Sequence, residues 1–224
     1  MTIEGVAEKT GVLLLITATV ALATAFTATP ESASALIILG FLGSLVLFLF
    51  IVFKKSINPG LICAHSAFEG LVIGGLTWIF EVALDLPGIG IVAAILTFAI
   101  LAGMLTIYRA GLIAWNRNLA IAVASSLVAI FLIYIVSFIG ALTGAFSVPY
   151  IHDATPIGIA FSLFVIGIGA LCLVADFDFI ERGVQSGARK ELEWIAAFGL
   201  MVTLVWLYIE ILRLLAKIAI ASRR

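Results

Sequence analysis

Seven continuous apolar runs, each near the ~20 residues a helix needs to cross hydrocarbon, constrain this chain more than any other feature. They are roughly Gly11–Ala28, Ala35–Phe53, Gly60–Phe80, Gly88–Tyr108, Leu119–Ala141, Pro156–Ala175 and Trp194–Lys217. The breaks between them carry turn chemistry: Thr29-Pro30, Asn58-Pro59-Gly60, Pro87-Gly88, Asn116-Arg117-Asn118 and Thr155-Pro156. Thr155 followed by Pro156 is a good N-cap and first-turn pair. A transmembrane barrel would instead show segments of about ten residues with alternating polarity, so the runs predict helices. The chain is 64% hydrophobic and 11% charged, whereas a soluble domain is about 45–50% apolar and about 25% charged. No soluble core of 224 residues hides that much apolar surface. The expectation is an all-α integral membrane protein, a single seven-helix domain spanning residues 1–224.

Charge sets the orientation. With seven crossings, Lys9, Lys54, Lys55, Arg109, Arg117, Arg182, Arg189 and Lys190 share one side, while the opposite internal loops carry Glu31, Glu81, Asp85 and Asp153 and no Lys or Arg. The positive-inside rule then makes the amino terminus cytoplasmic; the membrane expected is the plasma (inner) membrane of a prokaryote. Lys217, Arg223 and Arg224 fall on the far side in this scheme, as late charges outvoted by the rest. Ala23-Thr24-Ala25 and Ala33-Ser34-Ala35 resemble signal-cleavage sites, but Glu4 and Glu8 spoil the positive leader such a signal needs. A net charge of −1 with no basic patch gives nucleic acid nothing to bind. Cys63 and Cys172 lack metal-ligand or C-x-x-C spacing and read as packing residues.

Ionisable groups inside the runs are few, and each is costly in hydrocarbon. Glu210 lies deep in the last run, and Thr203, Glu210 and Arg213 form a polar stripe on it. A stripe facing lipid would be expensive, so this helix is expected inside the bundle. Glu210 and Arg213, three residues apart, are also placed to satisfy each other. Asp176 ends the preceding run, with Asp178 two residues on at the expected boundary. His65 and Glu69 share a face of the third run, as a metal ligand pair (though too few ligands for zinc), a proton relay, an accessory to the acids, or an internally satisfied pair. Around them Gly70, Gly74 and Gly75 allow a neighbouring helix to come close. Ser126, Tyr134 and Ser137 lie on one side of the fifth run and could donate to a buried carboxylate.

The segment Leu207-Tyr208-Ile209-Glu210-Ile211-Leu212-Arg213-Leu214-Leu215, with Ala175-Asp176-Phe177-Asp178 before it, resembles the carboxy-terminal signature of the Bax inhibitor family. Helix number, chain length and the basic turn Lys54-Lys55 fit as well. The resemblance implies a seventh helix that is central and wrapped by the other six. It also implies a carboxylate pair, Asp176 and Glu210, acting as pH sensor in a calcium-leak pathway, with Lys54 as a latch. Glu210 stands where the family carries aspartate, and the connection Glu181–Glu193 is longer than usual. A hairpin turning near Ser186 would set Asp176 opposite about Ala196, some fourteen residues short of Glu210, which is roughly 20 Å. If the acids did meet at ~4 Å they would repel by about 4 kcal/mol at an effective dielectric of 20 and share a proton. Two carboxylates also give at most four of the six to eight oxygens that calcium takes, a weak site suited to leak.

The functional expectation is a pH-sensitive cation leak channel or transporter, calcium being the expected ion and protons the controlling ligand. The alternative is a non-transporting regulator that binds other membrane proteins, such as a protease or a cell-death component. An enzyme is not expected. Glu210 follows Leu207-Tyr208-Ile209, not the Gly-x-Gly that precedes the second acid of an intramembrane aspartyl protease, and no serine–histidine pair stands out. A retinal protein would need a lysine in the middle of the last helix, and none is there. No cofactor is expected beyond calcium as a passing ion; the partners expected are the lipid bilayer, calcium or protons, and membrane proteins.

Overall fold

A computed structural model describes residues 1–54, 57–144 and 153–223; Lys55, most of the connection before Pro156, and Arg224 lie outside them. Its helices are α1 (Ile3–Thr27), α2 (Ser32–Lys54), α3 (Pro59–Trp78), α4 (Ile89–Arg109), α5 (Arg117–Thr143), α6 (Pro156–Gln185) and α7 (Leu192–Ser222). All seven are long and apolar enough to cross a membrane, α3 by including a π-helical turn at Ile79–Ala83. The starts follow local chemistry. Asn58 caps α3 ahead of Pro59, the Asn116 side chain accepts from the Leu119 N–H, and Thr155 Oγ1 accepts from the Gly158 N–H at 3.2 Å.

Three helices outrun their apolar stretches, α1 by starting eight residues before Gly11. α6 continues ten residues past Ala175, and α7 begins two residues before Trp194 and ends five past Lys217. Hydropathy marks the thickness of hydrocarbon, and a helix of about thirty residues is some 45 Å long, against a core of about 30 Å. Asp176 therefore sits within α6 and Lys217 within α7, not at their ends. α7 is the most buried of the seven, with 61% of its apolar window shielded against 11% for α5. Such shielding is what an interior polar stripe requires.

The chain divides into two compact units: residues 1–92 with 178–205, and residues 93–177 with 206–224. In the first unit α3 packs against α1 and α2. A side chain at Gly70 would run into the Thr17 carbonyl and Val20, and one at Gly74 into the Ala21 carbonyl. Those glycines let α1 and α3 touch backbone to backbone, as expected of small residues in membrane helices. Thr17 Oγ1 donates to the Ser66 carbonyl at 3.0 Å and closes the contact.

The first unit also ties distant segments through charge. Glu193, fully buried, accepts from Lys9 Nζ at 2.5 Å, from the Thr2 N–H at 2.9 Å and from Thr2 Oγ1 at 3.3 Å. Lys9 also stands 5.6 Å from the centre of the Trp194 ring. Gly5 leaves the room: a Cβ there would collide with the Glu193 carboxylate.

The second unit has an apolar centre of Val123 and Ile130 from α5 with Val165 and Ile168 from α6. Tyr134, Phe161 and Trp206 pack against it. Gly169 brings α6 close to Leu207 of α7, where any larger residue would strike the leucine side chain.

Candidate functional site

In the second unit Glu210 is 3% exposed, in the middle of an apolar helix. Its Oε1 accepts from the Tyr134 hydroxyl at 2.8 Å and from the Arg213 guanidinium at 3.0 Å. Arg213 in turn donates to the Tyr134 oxygen at 3.1 Å and lies 5.2 Å from the centre of that ring. The three form a closed triangle, the two α7 residues one turn apart and the tyrosine reaching in from α5. The helical spacing of Glu210 and Arg213 makes their ion pair local. The tyrosine then turns a helix-internal pair into a link between helices. Of the three donors expected on α5, Tyr134 takes that role. Ser126 bonds back to the Ala122 carbonyl of its own helix, and the buried Ser137 hydroxyl meets no partner among the described residues. Thr203, the outer member of the stripe, bonds back to Gly199.

One turn beyond Arg213, Lys217 is buried and donates to the Gly158 carbonyl at 3.0 Å and to Ser162 Oγ at 2.8 Å. Lys217 is therefore not a tail charge. It is an internal anchor of α7 on the start of α6, because α7 continues past it.

These contacts set the register of α6 against α7. Lys217 lies opposite Gly158 and Ser162, and Leu207 lies opposite Gly169. Glu210 thus faces the level of Ile166, and Asp176 is about ten residues further along α6, roughly 15 Å at the helical rise. The offset is smaller than that of a hairpin turning at Ser186 with no further adjustment, because the turn runs over residues 186–191. At 15 Å and an effective dielectric of 20 the mutual repulsion of two carboxylates is about 1 kcal/mol, against about 4 at contact. At this register the two acids stand at successive levels along the helix pair.

The remaining candidates lie in the first unit. His65 and Glu69 share a face of α3, with Nε2 and Oε1 3.7 Å apart. Lys54 is the exposed last residue of α2. Asp178 pairs with Arg182 at 2.8 Å one turn along α6, an ordinary boundary ion pair. Among the described residues no group of three or more His, Cys, Asp or Glu side chains is poised around a metal position. Cys63 and Cys172 are free thiols.

Sequence reasoning missed the Glu193 clasp and the burial of Lys217. Glu193 sat in a stretch read as connection, and its partner Lys9 is 184 residues away. The one available signal was Thr2 and Lys9 flanking a small residue, Gly5, at the start of a helix, and that pattern is common.

A seven-helix membrane protein with a buried ionic cluster on its last helix is the class these observations define. The family model described as Bax inhibitor 1 like matches residues 1–220, and the chain belongs to that family. No curated protein and no solved structure matches it.

Proposed function

We propose that the protein is a pH-sensitive cation leak or transporter, calcium being the cation its family membership suggests, with Glu210 as the carboxylate that an ion meets inside the membrane. What supports this is the triangle of Glu210, Arg213 and Tyr134, buried in a helix where charge is kept at a cost of several kcal/mol unless it serves a purpose. In this reading the triangle is the shut state. Arg213 occupies the carboxylate, so a cation reaches Glu210 only when the guanidinium swings aside. Its long side chain keeps 23% of its surface accessible and has the freedom to do so. Tyr134 then remains as a neutral oxygen for the incoming ion.

Calcium takes six to eight oxygens. Glu210 and Tyr134 supply three between them, and Asp176, one long step along α6, supplies two more at a different level. An ion is therefore handed from one acid to the next with water completing its shell, as suits passage more than storage. Conduction needs sites weak enough to leave. The amino terminus is cytoplasmic in this scheme, following the basic loops.

Purified protein in calcium-loaded vesicles tests the proposal. Wild-type protein should release calcium and Glu210→Gln should lose most of that flux, with Asp176→Asn reduced less. Equal flux from wild type and the double variant would exclude both acids from the path. No flux from wild type would favour the regulator that acts through other membrane proteins.

A further inference from the structure

The first unit holds a second pair of ionisable groups in mid-helix, and the leak path just described does not use it. His65 is 1% exposed, and its ring stacks edge-on against Phe198 with centroids 4.9 Å apart, with Phe48 of α2 on another side at 6.3 Å. Nδ1 is buried and meets no hydrogen-bond partner among the described residues. Nε2 faces Glu69 Oε1 at 3.7 Å, beyond hydrogen-bonding distance but within reach of a small carboxylate rotation. The Ser44 hydroxyl of α2 faces the same carboxylate. Glu69 keeps 17% of its side-chain surface, whereas the histidine is sealed.

A histidine used only for packing would satisfy its buried nitrogens, since an unpaired buried polar atom costs about 1–3 kcal/mol. Here one nitrogen is sealed among aromatic rings, and the other points at an acid without bonding to it. Such a pair has two arrangements of one proton. Either the proton rests on Nε2 and leaves a carboxylate, or it rests on Oε1 and leaves both groups neutral. Among the described residues no further charged side chain pairs with His65 or Glu69. Glu4 and Glu8 of α1 and Lys54 of α2 are exposed, Lys9 and Glu193 close on each other, and Asp178 closes on Arg182.

We propose that His65 and Glu69 form an intramembrane proton-binding site that exchanges with the outside through Glu69. A proton arriving at Glu69 passes to Nε2 when the carboxylate closes the gap, breaking its O–H bond as the N–H bond forms. The imidazolium then hydrogen-bonds the carboxylate and draws this face of α3 together. The site rests on the leak reading for its purpose, the proton control of the flux, but not for its existence.

Nitrogen NMR of the full-length protein in lipid nanodiscs tests it without any flux. The chain has two histidines, so His152→Gln protein assigns the His65 signals. The expected result is a His65 Nε2 signal that changes as the pH is lowered. That profile should shift in Glu69→Gln and return towards wild type in Glu69→Asp. A His65 signal that ignores pH, or one identical in wild type and Glu69→Gln at every pH, would make the histidine a packing residue and overturn the proposal. The isosteric Glu69→Gln change is made on the accessible partner, so the test does not require a variant at the sealed ring. Vesicles that fail to leak would refute the leak reading and leave this result standing.

Discussion

Glu210 and Glu69 both lie inside apolar helices and are neutralised in opposite ways. Glu210 has a permanent cation one turn away and accepts from a tyrosine on another helix. Glu69 has a histidine, whose own charge depends on the proton it holds. The contrast extends to what surrounds them. The second unit ties helices together with charged hydrogen bonds from Arg213 and Lys217, whereas beside Glu69 the helices α1 and α3 meet through Gly70 and Gly74 with no charge at the contact. A fixed ion pair suits a latch, and a titratable pair suits a sensor. On the proposed reading, latch and sensor are two separate sites.

The largest way to break this contrast is to remove the fixed cation. Arg213→Met should destabilise the protein by about 3–5 kcal/mol, because it strands a buried carboxylate. Reversible unfolding in mixed micelles would show it, and the double variant Arg213→Met/Glu210→Leu should recover much of the loss. Tyr134→Phe comes next. It removes a neutral donor to a charged acceptor and should cost about 1.5–3 kcal/mol by the same measurement. On the glycine side of the comparison, Gly74→Ala pushes a methyl group into the Ala21 carbonyl and should cost about 1–3 kcal/mol with no change in charge. The smallest effect belongs to Glu69→Gln, about 0.5–1.5 kcal/mol, the range of a neutral hydrogen bond. A loss as large as that of Arg213→Met would mean that Glu69 has a fixed cation after all.

Much of the fold was legible because each signal was local. The runs of apolar residues gave all seven helices, and Asn58, Asn116 and Thr155 marked three of their starts. Tyr134 was recognisable as a donor because a buried carboxylate needs one, and Gly70 and Gly74 because helix contacts in lipid favour small residues. The start of α1 and the ends of α6 and α7 were not legible. Asp176, Asp178, Glu181 and Arg182 look like the start of a connection, yet a helix leaving the bilayer has no reason to stop where hydrocarbon does. That extension fixed the register, and with it the separation of Asp176 from Glu210, which no local pattern encodes. The Glu193–Lys9 clasp was hidden for the same reason, since it joins residues from opposite ends of the chain.

The division of labour is tested most directly by the pH profile of calcium flux from vesicles carrying Glu210→Gln or Glu69→Gln protein, measured side by side with wild type. Glu210→Gln should lower the flux at every pH and leave the shape of the profile intact. Glu69→Gln should keep the maximal flux and flatten the profile. The reverse pattern, with the shape lost in Glu210→Gln and kept in Glu69→Gln, would put the proton on α7 and contradict the separation of latch and sensor.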